Sequence, residues 1–252
     1  MTMQAESNVK SLARALTVLE CFTTAEPELG VTDIAKKLGM QKSTIYNILS
    51  TFQDMGYVIQ NPDNSKYSLS YKILHLSFVV SSRISLRDRF APILKEIANL
   101  TDEVCYLGML NDLEVLYLDA AYPSSQASGR NILGERAPLY CTGLGKAMLA
   151  NLPDADVDRV LSRPMTPFTR CTITDPVVLR AELEEIRSNG YAVDNMEHEF
   201  GIRCVAVPIF DSTGKVIGAV SASGPSLRFD PDAVARISGI IADKLRPMQR
   251  FL

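Results

Sequence analysis

Few residues in this sequence could carry out chemistry, and their spacing mostly argues against catalysis. Residues 142–150, "TGLGKAMLA", contain the glycines and lysine of a phosphate-binding loop. However, Tyr140 occupies the position of the required first glycine and Ala147 that of the required Ser or Thr. Nucleotide hydrolysis is therefore not expected. The backbone N–H groups of Thr142, Gly143 and Leu144 precede a predicted helix and could bind a small anion; an ordinary helix amino terminus is the alternative.

Metal binding and nucleophilic catalysis are also poorly supported. His75 and His198 are the only histidines, and "EHE" around His198 offers one imidazole and two carboxylates, as a solvated charged loop would. Cys204 could act as a nucleophile beside His198, but it lies in the strand-like "CVAVPIF", where a small buried thiol is typical. We predict no catalytic residue, no metal and no cofactor, and expect that the protein is not an enzyme.

Contact with nucleic acid is indicated by residues 41–58, "QKSTIYNILSTFQDMGYV". Apolar residues at helical spacing form its inward face: Ile45, Ile48, Leu49, Phe52 and Met55. With about 100° per residue, Ser43, Asn47 and Ser50 point the opposite way, and Tyr46 flanks them. Small uncharged side chains on an exposed face can approach base edges.

Two further helices and a hairpin would place this face for DNA binding. "SLARALTVLECF" predicts a first helix with Leu12, Ala15, Leu16, Leu19 and Phe22 inward, and "VTDIAKKLG" a second from an N-cap at Thr32 to Gly39. "YVIQ" and "KYSL" flank the turn "NPDNS". This order is that of a winged helix-turn-helix, whereas the alternative is a three-helix interaction module without nucleic acid. The predicted DNA contacts are Lys36, Lys37, Lys42, Ser43, Thr44, Tyr46, Asn47, Ser50, Lys66 and Tyr67.

Length and composition indicate the number of domains, the overall charge and the cellular location. The 252 residues favour two domains, and a net charge of −3 gives no overall basic excess, so attraction to DNA must come from local placement of lysines. Five scattered cysteines without a CxxC pair indicate reduced thiols. The amino terminus lacks the apolar region of a signal peptide, and no apolar run is long enough to cross a membrane. We expect a cytoplasmic protein without a membrane partner.

The rest of the chain predicts a helical linker and an α+β domain. Residues 73–100 are helix-like, with Pro92 in the first turn of the later helix or kinking it. "VCYLGML", "LEVLYLDAAY", "CVAVPIF" and "VIGAVSAS" alternate like strands, and "DSTG" forms a turn between the last two. Helices are predicted near 146–151, 154–161, 177–189 and 230–245. We therefore expect a two-domain α+β fold, with domains at 1–72 and 101–252, in which an antiparallel sheet is flanked by helices.

Over nearly its whole length the chain resembles the IclR family of bacterial transcriptional regulators. The resemblance is carried by residues 190–229, "GYAVDNMEHEFGIRCVAVPIFDSTGKVIGAVSASGPSLRF", and by "GERAPLYCTGLGKAMLA", "SLARALTVLECF" and "DIAKKLGMQKSTIYNILSTFQDMGYV". It implies a winged helix joined to a GAF-like effector domain. It also implies homodimers or homotetramers that act on transcription, more often as repressors, at a pseudo-palindromic double-stranded operator.

The same resemblance implies a small organic acid as effector. The positions that match effector-binding positions of such regulators are Gly143, Leu144, Asp194, Ile202, Cys204, Ser221 and Ser223. Their chemistry suits a small oxo or hydroxy acid, because serine hydroxyls and N–H groups can hold a carboxylate while Asp194 accepts from a ligand hydroxyl. The alternative is a small-acid-binding enzyme or sensor whose helix-turn-helix binds a partner protein.

Overall fold

A computed structural model describes residues 8–81, 85–126 and 132–248. Contacts divide the chain into two compact units, one ending at Ile84 and one beginning at Ser85. The predicted linker of residues 73–100 spans this division. Among the described residues, no helix is both long enough and apolar enough to cross a bilayer.

In its described residues, the first unit contains four helices and a small antiparallel sheet in the strand order β1-β3-β2. Its elements are α1 (Lys10–Leu19), β1 (Glu28–Leu29), α2 (Val31–Leu38), α3 (Lys42–Asp54), β2 (Val58–Gln60), β3 (Tyr67–Leu69) and α4 (Lys72–Ser81). The predicted helix-turn-helix and hairpin are both present, and β1 is a short strand that was not predicted.

The core of this unit fixes α2 against α3. Ile34, Ile45 and Leu49 are completely buried. Between the helices, Gly39 adopts the left-handed conformation (φ 64°) that ends α2, as its sequence position predicts. The start of α2 was predicted wrongly, because the cap residue is Gly30, whose N–H group donates to the Asp33 carboxylate, and not Thr32.

Three apolar residues predicted to point inward are exposed instead. Leu12 is 58% exposed, Leu16 50% and Met55 54%. On α1 the buried residue is Val18, so the packed face is rotated relative to the predicted one. Met55 lies at the carboxyl end of α3, beyond the turn that Leu49 anchors.

The second unit is α+β. Its elements are α5 (Ser85–Thr101), β4 (Val104–Asn111), β5 (Glu114–Ala121), β6 (Arg136–Pro138), α6 (Gly143–Leu149), α7 (Asp154–Leu161), α8 (Pro176–Asn189), β7 (Ala192–Asn195), β8 (Ile202–Phe210), β9 (Val216–Pro225) and α9 (Pro231–Leu245). The four predicted strands and four predicted helices are confirmed to within a few residues. Pro92 lies in the interior of α5 and not in its first turn.

The strands form one antiparallel sheet in the order β6-β5-β4-β9-β8-β7. Two pairs of helices pack on it: α5 and α9 contact each other and the sheet, whereas α6 contacts the sheet and α8 packs against α6. The predicted "DSTG" turn joins β8 to β9, where the Asp211 carboxylate accepts from the N–H groups of Thr213 and Lys215. The predicted α+β architecture with an antiparallel sheet and flanking helices is thus confirmed.

Candidate functional site

The outward face of α3 is a candidate DNA-reading surface in the first unit. Burial of Ile45 and Leu49 orients the helix, so that Lys42, Ser43 and Asn47 are exposed. Tyr46 is also largely exposed, whereas Thr44 and Ser50 are half-buried. The lysine at the start of this helix can contact a phosphate group, and the small polar side chains along the helix leave room for the bases of a duplex.

A groove between α1 and α3 continues this surface. It is lined on the α3 side by Thr44, Asn47 and Thr51 and on the α1 side by Ser11 and Arg14. Sequence reasoning missed Arg14, because the rotation of α1 that brings it beside Asn47 is set by packing. The structure thus places an exposed guanidinium next to the predicted base-reading residues.

The lysines of the turn and the hairpin lie together, but beside carboxylates. Lys36, Lys37 and Lys66 border one surface depression, which Glu26, Glu28 and Asp33 also border. Lys37 forms an exposed ion pair with Glu26. The neighbouring carboxylates offset the charge of the clustered lysines, in agreement with the net charge of −3 of the whole chain.

Tyr67 is a correction to the predicted DNA contacts. Its side chain is only 2% exposed and belongs to the apolar core of the first unit. Lys66, which directly precedes β3, is exposed and stays a predicted DNA contact, whereas the buried Tyr67 cannot reach a duplex.

Removal of the Glu26 charge should strengthen binding to all DNA sequences alike. Glu26→Gln frees Lys37 for a phosphate contact, so we expect a steeper dependence of log K on log salt, by up to about 0.9 for one added contact. Fluorescence anisotropy with random duplexes at several salt concentrations measures this slope. Glu20→Gln, at an exposed glutamate with no ion pair among the described residues, is the matched control; an equal change in both variants would contradict the assignment.

The second unit contains a cavity of about 660 Å³ whose wall combines polar and apolar residues. All seven predicted effector positions contribute to its wall: Gly143, Leu144, Asp194, Ile202, Cys204, Ser221 and Ser223. They come from the start of α6 and from β7, β8 and β9. The antiparallel pairing places Asp194 opposite Cys204 and Cys204 opposite Ser223, so one row of residues crosses three strands.

The start of α6 forms part of the wall because the sequence allows a close approach there. Thr142 caps the helix, since its hydroxyl accepts from the Gly145 N–H group at 3.0 Å. A Cβ atom on Gly143 would lie 3.2 Å from the Cβ of Cys204, so glycine lets the helix rest on β8. The N–H groups of Gly143 and Leu144 lie in the first turn, where helix geometry supplies no acceptor.

Asp194 is one of two buried acidic residues that line the cavity, the other being Glu103. Its side chain is 4% exposed, and its Oδ1 accepts from the Glu197 N–H group at 2.7 Å. Burial raises the pKa of Asp194 from its ordinary value of 3.8 to about 7, because desolvation outweighs the hydrogen bond and the nearby Lys146 charge. This carboxyl group can therefore exist in either protonation state near neutral pH.

The other polar atoms of the cavity do not resemble a catalytic centre. The Cys204 thiol lies 2.8 Å from the Ser223 hydroxyl, and burial raises the pKa of the thiol, which disfavours the thiolate. Tyr106 and Tyr117 form an edge-to-face pair in the wall. Within the described part of the chain, no group of three or more His, Cys, Asp or Glu residues could hold a metal ion.

Charged residues around the cavity were missed by sequence reasoning. Arg136 and Arg228 both contribute to its wall, and Arg228 makes two hydrogen bonds to the buried Glu103 carboxylate, at 2.7 and 2.5 Å. Lys146 is completely buried and pairs with Glu182 and Glu197. No spacing rule finds these pairs, because their members are 36 to 125 positions apart.

Known proteins share both units. The family model "IclR helix-turn-helix domain" matches residues 11–62, and "Bacterial transcriptional regulator IclR C-terminal" matches residues 78–248. The chain is 35% identical to the HTH-type transcriptional regulator XynR of Escherichia coli, covering 90% of each chain. It is 30% identical to the transcriptional repressor IclR of the same species, covering 95% of this chain and 89% of the relative.

A solved structure agrees with this relationship. An IclR homolog from Microbacterium hydrocarbonoxydans, complexed with 4-hydroxybenzoate, is 26% identical and superposes with a TM-score of 0.78, covering 94% of this chain and all of that one. These relatives are transcriptional regulators and not enzymes, which confirms the prediction from the sequence. With matching models for the DNA-binding and the carboxy-terminal domains, the chain belongs to the IclR family of bacterial DNA-binding transcriptional regulators.

Proposed function

We propose that this protein is a cytoplasmic repressor whose binding to a pseudo-palindromic operator is controlled by a small organic acid. Residues 1–72 would bind DNA, residues 73–100 would link the domains, and residues 101–252 would bind the effector. Two copies of α3 in a homodimer or homotetramer would enter successive major grooves of the operator. A repressor among the relatives supports the direction of regulation.

The observation that carries the effector proposal is the cavity of the second unit. It is lined by serine hydroxyls, backbone N–H groups, two arginines and four carboxyl groups, which belong to Glu103, Glu135, Asp194 and Glu199. This combination of donors and acceptors suits an acid that also bears hydroxyl or oxo groups. The relative bound to 4-hydroxybenzoate, an acid with a hydroxyl group, supports the same class of ligand. Asp194 would accept from the ligand hydroxyl and would oppose a second carboxylate placed beside it.

A stabilising acid should lose much of its effect when Ser221 is replaced. Ser221 is 2% exposed and lines the cavity, so Ser221→Ala removes a hydrogen-bonding partner that water cannot replace. We expect an affinity loss of about 5- to 20-fold, which corresponds to one hydrogen bond. Thermal shift with 2-oxo acids, 2-hydroxy acids, sugar acids and 4-hydroxybenzoate identifies the acid, and calorimetry measures its affinity.

Ser238→Ala is the matched control for this experiment. Ser238 is also buried but lies on α9, where its hydroxyl donates to the Ala235 carbonyl outside the cavity. This variant should respond to the acid like the wild type. A wild type that no acid stabilises would refute effector binding, and a Ser221→Ala variant that responds normally would refute the assignment of this cavity.

A further inference from the structure

Behind the cavity wall lies a cluster of three charged residues, two of them buried, none of which lines the cavity. Lys146 on α6 is completely buried, and its Nζ contacts Glu182 on α8 and Glu197 in the turn after β7, the latter at 2.5 Å. Neither Lys146 nor Glu197 contributes to the cavity wall. Burying a lysine and a glutamate carries a desolvation cost that their ion pair must offset, and packed apolar residues would avoid that cost.

The turn that contains Glu197 also determines the orientation of Asp194. Asp194 Oδ1 accepts from the Glu197 N–H group, and the Asn195 N–H group donates to Glu197 Oε1 at 3.3 Å. Met196, between them, has a left-handed backbone (φ 61°), which is uncommon for a residue other than glycine. A turn that holds such a conformation needs contacts that fix it.

Those contacts come from two separate elements. The hydroxyls of Thr169 and Thr172, in the loop before α8, donate to the carbonyls of Met196 and Glu197, each at 2.6 Å. From the other side, Lys146 holds the Glu197 side chain. Lys146 lies within one helical turn of Gly143 and Leu144 on α6. Its ion pair with Glu197 therefore connects the loop after β7 to the helix whose start forms part of the cavity wall.

We infer that Glu197, held by Lys146, is a positioning residue of the effector cavity: it fixes the carboxyl group of Asp194 relative to α6 and sets that group's electrostatic surroundings. This inference rests on the proposed effector function. It assigns a role to two buried charges that do not touch the ligand. The Oε2 atom of Glu197 is buried without a hydrogen-bonding partner in the described part of the chain, so its side chain depends mainly on Lys146.

The charges around Asp194 give this role a measurable signature. Desolvation is the main cause of its raised pKa, the Glu197 charge raises that pKa further, and the Lys146 charge lowers it. Glu182 is not among these causes, although it shares Lys146 with Glu197. Ionisable groups from the surrounding elements that interact with Asp194 are Lys146, Glu197, Cys141, Cys204 and Tyr117. The backbone N–H group of His198, a residue that lines the same cavity, also donates to Asp194 and lowers its pKa.

The test compares Glu197→Gln with Glu182→Gln in the full-length protein. Titration of the Asp194 carboxyl carbon by NMR reports its pKa without any ligand. Glu197→Gln should lower this pKa, because a neighbouring negative charge is removed, whereas Glu182→Gln should leave it near the wild-type value. In parallel, calorimetry with gluconate and 4-hydroxybenzoate measures how acid binding depends on pH.

Acid affinity should fall as pH rises through the pKa of Asp194, because ionisation of Asp194 adds a negative charge to a cavity wall that Glu103, Glu135 and Glu199 also line. The inflection of this curve should move to lower pH in Glu197→Gln and stay in place in Glu182→Gln. An unchanged Asp194 titration in Glu197→Gln, or equal changes in both variants, would overturn the inference. So would a Glu197→Gln variant that does not fold, since the ion pair would then be a folding requirement. Absence of acid binding by the wild type would instead refute the proposed effector function.

Discussion

Replacing Asp194 by asparagine is expected to stabilise the protein by up to about 4 kcal/mol at about pH 8 and to change its stability little at about pH 4. The pKa of Asp194 is raised from 3.8 to about 7 by burial. Below the unfolded-state pKa of Asp194, the carboxyl group is protonated in both states, and its contribution to stability is complete. This contribution is lost as the pH rises through about 7, because the unfolded state releases the proton more readily than the folded state. Asparagine stays neutral and can still accept from the Glu197 N–H group.

Chemical denaturation across this pH range measures the effect, and Asp211→Asn is a control of opposite sign. Asp211 is exposed, and hydrogen bonds, chiefly from the Thr213 hydroxyl, lower its pKa. Its contribution to stability is thus present above its unfolded-state pKa and is lost as pH falls through the lowered value. Asp194→Asn should gain stability with rising pH relative to the wild type, whereas Asp211→Asn should not. Parallel stability curves for the wild type and Asp194→Asn would contradict the buried state of this carboxyl group.

Asn47→Ala is expected to remove about 1 to 3 kcal/mol of discrimination at one operator position, roughly 5- to 150-fold in affinity ratio. Asn47 is exposed on the outward face of α3, where its amide can pair with a base edge. Lys42→Ala should instead weaken binding to all sequences and reduce the salt dependence of log K by about 0.9, as expected for one lost phosphate contact. The two variants therefore separate base reading from phosphate binding.

Anisotropy titrations against the operator and a set of single-base-pair variants measure both effects. The wild type should prefer the operator base pair at the affected position, Asn47→Ala should not, and Lys42→Ala should keep the preference. Ser68→Ala, a half-buried change on β3, serves as a control for general effects of substitution in this unit. Equal losses of discrimination in Asn47→Ala and Lys42→Ala would contradict the assigned roles.

Periodicity predicted the larger elements well, because their apolar spacing reflects the core directly. The α2–α3 pair follows from Ile34, Ile45 and Gly39, and β8 and β9 follow from alternation. It failed where an element is short or where packing decides its rotation. Strands β6 and β7, of three and four residues, are too short to show a pattern. On α1, both Leu16 and Val18 could fill the core, and only the packing of α1 against α3 selects Val18.

The candidate site was predictable only in part for a similar reason. Family resemblance pointed to Asp194, Ser221 and Ser223, and the strand register brings them to one cavity. Alternation along the strand-like run "KYSL" already indicates that Lys66 and Tyr67 point to opposite sides. Burial of a charged residue such as Lys146 depends on partners far away in sequence, and local composition carries no sign of it.

Operator binding measured with and without a stabilising acid tests the central claim most directly. At fixed moderate salt, the wild type should bind the duplex from its upstream intergenic region in preference to a scrambled duplex. Addition of the acid that raises its melting temperature should then change operator affinity by about 5-fold or more, the usual range of coupling between two sites. Equal binding of both duplexes, or an operator affinity that no stabilising acid alters, would contradict the account.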